Sequence, residues 1–113
     1  MAAIAVMAGA FGAHTLAELV TPKRLETFET AARYQMYHAL GLLAVGWLIE
    51  QRSELKQLRW VGLLFIVGIG LFSGSLYVLV LTDTGWLGAI TPFGGVAFIA
   101  GWLLLAYTMW RER

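Results

Sequence analysis

Two histidines, His14 and His38, are the side chains best placed to do chemistry near neutral pH, because imidazole changes its charge there. Around them the sequence sets groups that could hold a ligand: Arg33, Tyr34, Tyr37, Ser73, Tyr77 and Thr91. Tyr34 and His38 are four residues apart, as are Arg33 and Tyr37, and Ser73 and Tyr77, so each pair shares a helix face. Three uses are open to such a set. Neutral imidazoles bonded to a neighbouring Tyr or Ser would fix helix register; titrating ones would handle protons or grip a small molecule or ion; a pair could ligate haem or a metal. The last is thin, since two imidazoles with no third His or carboxylate nearby make a poor metal centre, and no metal or cofactor is expected. Nor is there a GxSxG, HExxH or phosphate-binding loop, and Asp83 lies far from either histidine in sequence. The chain therefore reads as non-enzymatic. With no cysteine it has neither disulfides nor a thiol nucleophile.

The elements that must carry these residues are unusually apolar. Of 113 residues, 59% are hydrophobic and only 13% charged, with a mean hydropathy of +0.72. Soluble domains carry nearer a quarter charged residues to hydrate their surface, so lipid is the expected solvent. Four apolar stretches, roughly Ala2 to Val20, Ala31 to Ile49, Trp60 to Leu81 and Ile90 to Trp110, each approach the ~20 residues that a helix needs to cross the hydrocarbon. The third, WVGLLFIVGIGLFSGSLYVLVL, has no polar stripe at helical spacing. A single all-α domain follows, an integral membrane four-helix bundle. A net charge of +1 without a basic face excludes nucleic acid as a partner.

Orientation is read from the basic residues at the span ends. Arg52, Lys56, Arg59, Arg111 and Arg113 lie on one side and Lys23, Arg24 and Arg33 on the other. Five against three puts both termini in the cytoplasm of a bacterial plasma membrane. Ala8-Gly9-Ala10 imitates a signal cleavage site, but no Lys or Arg precedes it, so an uncleaved first helix is expected, with room for an upstream start.

Thr21-Pro22 and Thr91-Pro92 each offer a capping hydroxyl followed by proline at the first helical position, and both read as helix starts. A second helix beginning at Pro22 is too long for the bilayer. Its first turns, PKRLETFETAAR, are amphipathic, with Leu25, Phe28 and Ala32 on one face and Glu29 able to pair with Arg33. They form either a solvated extension or a lid. Phe28 and Phe98 follow the two Thr-Pro pairs at equal spacing, though the rest of the two halves does not align.

Glycine falls mostly within the spans, where small residues let helix backbones approach. Ala8 with Gly12 or Gly9 with Ala13, Gly70 with Gly74, Ala97 with Gly101, and Gly94 and Gly95 are the expected packing seams, serving this chain's own helices, a second copy or a membrane-protein partner. On helical rise His14 and His38 both stand about 9 Å inside the external boundary, where adjacent antiparallel helices could bring the imidazoles together. The candidate cluster thus maps to the outer half of the bundle.

At GAFGAH (9–14), FETAARYQMYHAL (28–40), FSGSLY (72–77) and TPFGG (91–95) the chain resembles the YgdD/YwdK-like group, small four-helix bacterial membrane proteins of unknown function. The resemblance spans essentially the whole chain. It implies a lipid-embedded helical protein and brings no activity, substrate or catalytic residue.

Overall fold

The structure is a computed structural model that describes residues 1–112; Arg113, one of the basic residues used above for orientation, lies outside them. Four helices emerge: α1 (Ala2–His14), α2 (Pro22–Gln51), α3 (Gln57–Thr82) and α4 (Thr91–Arg111). Short 3₁₀ turns at Leu16–Glu18 and Gly85–Ala89 connect the first pair and the last pair. Successive helices run antiparallel. Gly12 meets Phe28, Gly62 meets Val45, and Gly68 and Gly101 meet Phe98 and Phe65.

The first apolar stretch does not fill its expected range. α1 ends at His14 after 13 residues, about 20 Å, because Leu16, buried at 2%, turns the chain into the core. α1 is also low in the bundle: the Met1 carbonyl lies level with Gln35, halfway along α2. α2 begins as expected, with the Thr21 hydroxyl accepting from the Arg24 amide at 3.2 Å. The matching cap at Thr91 does not form. Thr91 is itself the first helical residue, after Ile90, and its hydroxyl is taken by Ser75 instead.

α3 is not a uniform α-helix. Between Gln57–Gly68 and Ser75–Thr82 it widens into a π-helical segment, Ile69–Gly74. Such a segment spreads the backbone ladder and re-aims the side chains beyond it. Here Ser73 turns to α2 and Ser75 to α4.

Two apolar clusters anchor the ends of the bundle. Leu16, Phe28, Leu79 and Val80 form one, and Val45, Val61 and Phe65 the other. The ends are tied by ions: Arg24 to Asp83 at 3.2 Å on one face, and Arg52 to Glu54 at 2.6 Å and Glu112 at 3.2 Å on the other. The hydrogen bond from Arg52 holds the Glu54 carboxyl below the usual carboxylate range.

The outer surface is apolar. Phe93, Val96, Ile99, Leu103 and Trp110 make an exposed stripe down α4, each more than 60% exposed. Gln57–Thr82 and Gly85–Arg111 are long and apolar enough to cross a membrane, and only 39% and 22% of their apolar windows are buried inside the protein. A soluble core helix would be mostly covered; these helices face outward, as lipid contact requires.

Candidate functional site

The polar side chains collect between the two apolar clusters, at the middle of α2 rather than toward its N-terminal end. Their arrangement follows from helix geometry. Gln35 and His38 lie on the α2 face that also buries Ala31, Ala32, Ala39 and Gly41, so between Ala31 and Gly41 that face is small except at these two positions.

Gln35 is the first hub. Buried to 3% exposure, it accepts from the Tyr77 hydroxyl at 2.7 Å through its amide oxygen and donates to the Met1 carbonyl at 2.8 Å through its nitrogen. Side chains lean toward the N-terminus of their own helix, so on antiparallel helices Tyr77 and Gln35 lean toward each other. One turn away the fully buried Ser73 donates to the Ala31 carbonyl at 2.8 Å. α1, α2 and α3 are thereby bonded at one level.

His38 is the second hub, and its protonation state follows from its partners. The indole N–H of Trp102 on α4 can only donate, so His38 Nε2, 2.9 Å away, must accept. Nδ1, 2.7 Å from the Tyr34 carbonyl, must then carry the hydrogen. The ring is neutral, in a single tautomer, with both nitrogens used. It stacks on Phe98 at 3.5 Å between centroids and meets Phe65 edge-on at 5.3 Å. An imidazolium here would set N–H against N–H.

Ser75 forms a third link, sharing a hydrogen with Thr91 at 2.7 Å and reaching the Phe72 carbonyl at 3.0 Å. Among the described residues no buried side-chain nitrogen or oxygen lacks a partner, and no group of three or more His, Asp or Glu could hold a metal.

Several expected site residues are not brought together. His14 closes α1 exposed, with no hydrogen bond among the described residues, because the helix ends where the chain turns in; it is not a partner of His38. Arg33 bonds to Thr30 at 3.2 Å rather than to Glu29. Tyr34 and Tyr37 pack edge to face on a half-exposed surface, Tyr34 also touching Phe72.

The glycines divide as sharply. A Cβ on Gly94 would stand 2.3 Å from the Phe72 backbone nitrogen, and one on Gly101 2.7 Å from the Phe65 ring. Gly12 is close to Phe28 at 3.2 Å. Gly9 and Gly70 face open space, Gly74 meets only its own helix, and Gly95 barely reaches Phe72, so Gly70 and Gly74 are no seam. Sequence reasoning missed Gln35, Trp102, Gly41 and Gly68. Gln35 was findable, since it sits four residues after Ala31 and three before His38.

The family described as "Protein of unknown function (DUF423)" matches residues 8–95. The chain belongs to this family. That stretch holds the whole cluster except Met1, Phe98 and Trp102. The DUF423 chain is 53% identical to the UPF0382 membrane protein SSP2132 of Staphylococcus saprophyticus, over 92% of its own length and 85% of that protein. It is 48% identical to the UPF0382 membrane protein YwdK of Bacillus subtilis over the same shares. With SH2409 of Staphylococcus haemolyticus the identity is 45% over 96% of the chain and 87% of the relative. No solved structure matches. The DUF423 chain is thus a helical membrane protein of a family whose function is unknown.

Proposed function

We propose that this chain is a multi-pass protein of the bacterial plasma membrane that serves as a non-enzymatic structural or accessory component, its internal polar groups fixing how its helices register. The observation that supports this most is the bond from Trp102 to His38. It occupies the one nitrogen a proton relay or a metal would need, and it joins α2 to α4 at a fixed level. In lipid, where apolar surfaces give helices no reason to choose one neighbour over another, such bonds and close small-residue contacts select the packing.

An accessory role predicts association through the lipid-facing surface, with a second copy or another membrane protein. Chemical crosslinking in intact membranes, followed by purification in native lipid discs, tests it. A defined crosslinked species supports the reading. A chain that stays monomeric and uncrosslinked, while proteoliposomes show an ion or solute flux lost on His38→Ala, would overturn it in favour of transport.

A further inference from the structure

At the α2–α3 corner, on the face opposite the Arg24–Asp83 pair, two cations have no counter-ion among the described residues. Among the described residues the side chains of Lys56 and Arg59 make no ion pair or hydrogen bond, whereas Arg52 close by in the same connection is held by Glu54 and Glu112. Lys56 and Arg59 line one recess together with Ser53, Trp60 and Leu63. Arg59 and Leu63 also line a second recess, which continues between α2 and α3 past Ile49, Gly46, Gly62 and Ile66 and is almost wholly apolar. Gly46 leaves it open, having nothing within 4 Å of where a Cβ would stand.

The two recesses together have the shape of one amphiphile. A phosphate would sit between the ammonium and the guanidinium, with the Ser53 hydroxyl as a further donor. An acyl chain would run down the apolar groove below Arg59, along about 10 Å of helix from Arg59 to Ile66. Trp60, 61% exposed, stands at the level where an indole prefers to lie, between headgroups and hydrocarbon.

We propose that this corner is a binding site for an anionic glycerophospholipid of the surrounding membrane, its phosphate held by Lys56 and Arg59 and one acyl chain in the α2–α3 groove. Charge selects the occupant: a zwitterionic lipid brings its own cation and leaves the pair uncompensated, while an anionic headgroup neutralises it. The nearest carboxylates do not compete, since Glu54 is bound by Arg52 and Glu50 lines a separate recess with Trp47 and Met1.

Native mass spectrometry of the full chain, released from nanodiscs holding equal amounts of phosphatidylglycerol and phosphatidylcholine, tests this. The unaltered chain should retain phosphatidylglycerol with a preference of roughly tenfold or more, as two interfacial basic side chains allow. Lys56→Gln with Arg59→Gln should bring the two lipids to near-equal retention, while Lys23→Gln on the opposite face should leave the preference intact. Gly46→Leu, whose Cβ meets nothing within 4 Å and whose side chain enters the groove, should lower retention of both lipids at unchanged helical circular dichroism. Equal retention by the unaltered chain, or a preference that survives the double substitution, would overturn the proposal. So would full displacement of the lipid by millimolar inorganic phosphate, which would leave a simple anion site. A dimer lost in these variants would place a second copy in the groove and overturn it too.

Discussion

The character of His38 is decided by its neighbours, not by its own chemistry. Imidazole in lipid could conduct protons or bind a metal, and spacing alone leaves both open. A single donor-only partner closes them: with Trp102 giving its hydrogen to Nε2, the ring is a fixed strut between α2 and α4. Buried interhelical bonds of this type in membranes are worth ~0.6 kcal/mol on average and up to ~1.7. A double-mutant cycle of His38→Phe and Trp102→Phe, followed by unfolding in mixed micelles, should therefore return a coupling of about 1 kcal/mol. A coupling indistinguishable from zero would mean that the bond does not form. Gln35→Leu should destabilise the protein further than Ser73→Ala in the same assay, since it strands the Tyr77 hydroxyl, whereas the Met1 carbonyl keeps the Ala5 amide. The sequence made His38 and Tyr77 visible because they are conspicuous in an apolar span. Their partners were less plain: the amide in RYQMYHAL is signalled only by its spacing to Ala31 and His38, and the indole 64 residues on carries no local sign of contact. His14 was conspicuous for the opposite reason. Apolar neighbours suggested burial, but they belong to a helix that ends there.

Helices and their joints show which local signals survive tertiary structure. Identical Thr-Pro starts behave differently: Thr21 caps α2, while the Thr91 hydroxyl is drawn to Ser75, a partner that only the approach of α3 supplies. A small-xxx-small spacing says that a close face exists, not which way it points. Gly70 and Gly74 fall in the π-helical segment and turn away from neighbouring helices, whereas Gly94 brings α4 against the α3 backbone at Phe72. The consequence can be measured. Gly94→Ala forces two backbones apart and should cost about 3 kcal/mol, enough to lower the yield of folded protein. Gly70→Ala has open space and should stay within about 1 kcal/mol of neutral, the size of a helix-propensity difference. Thermal unfolding of the two variants in one detergent gives the comparison, and similar losses in both would refute the packing described for α3 and α4. The four helices themselves were legible from apolar length alone. The widened turn in α3 was not, because its register is set by contacts of Ser73 and Ser75 to two different helices.

At the scale of the whole molecule the chain is built inside out relative to a soluble bundle. Its polar side chains are bonded at the centre and its aromatic and aliphatic ones are exposed along α4. The same inversion fixes how the bundle should lie in a bilayer. The Arg52–Glu112 tie shows that the α2–α3 corner and the C-terminal end share one face, and that face also carries Lys56, Arg59 and Arg111. The Arg24–Asp83 tie sets the α3–α4 corner on the other face, beside the start of α2. Basic residues resist translocation, so the first face should be cytoplasmic and the second external. The absence of cysteine from the chain makes this simple to test, since any introduced thiol is the only one present. Thr84→Cys, beside the external tie, should react with a membrane-impermeant maleimide on intact protoplasts. Ser53→Cys, in the lipid recess, should react only after the membrane is opened. Both positions are exposed or partly exposed loop residues outside the packed core, so neither change should disturb folding. The reverse labelling pattern would invert the orientation and place the Lys56–Arg59 recess against the outer leaflet. Equal labelling of both sites in sealed protoplasts would mean two opposite insertions of the same chain, as a charge difference of five against three can permit.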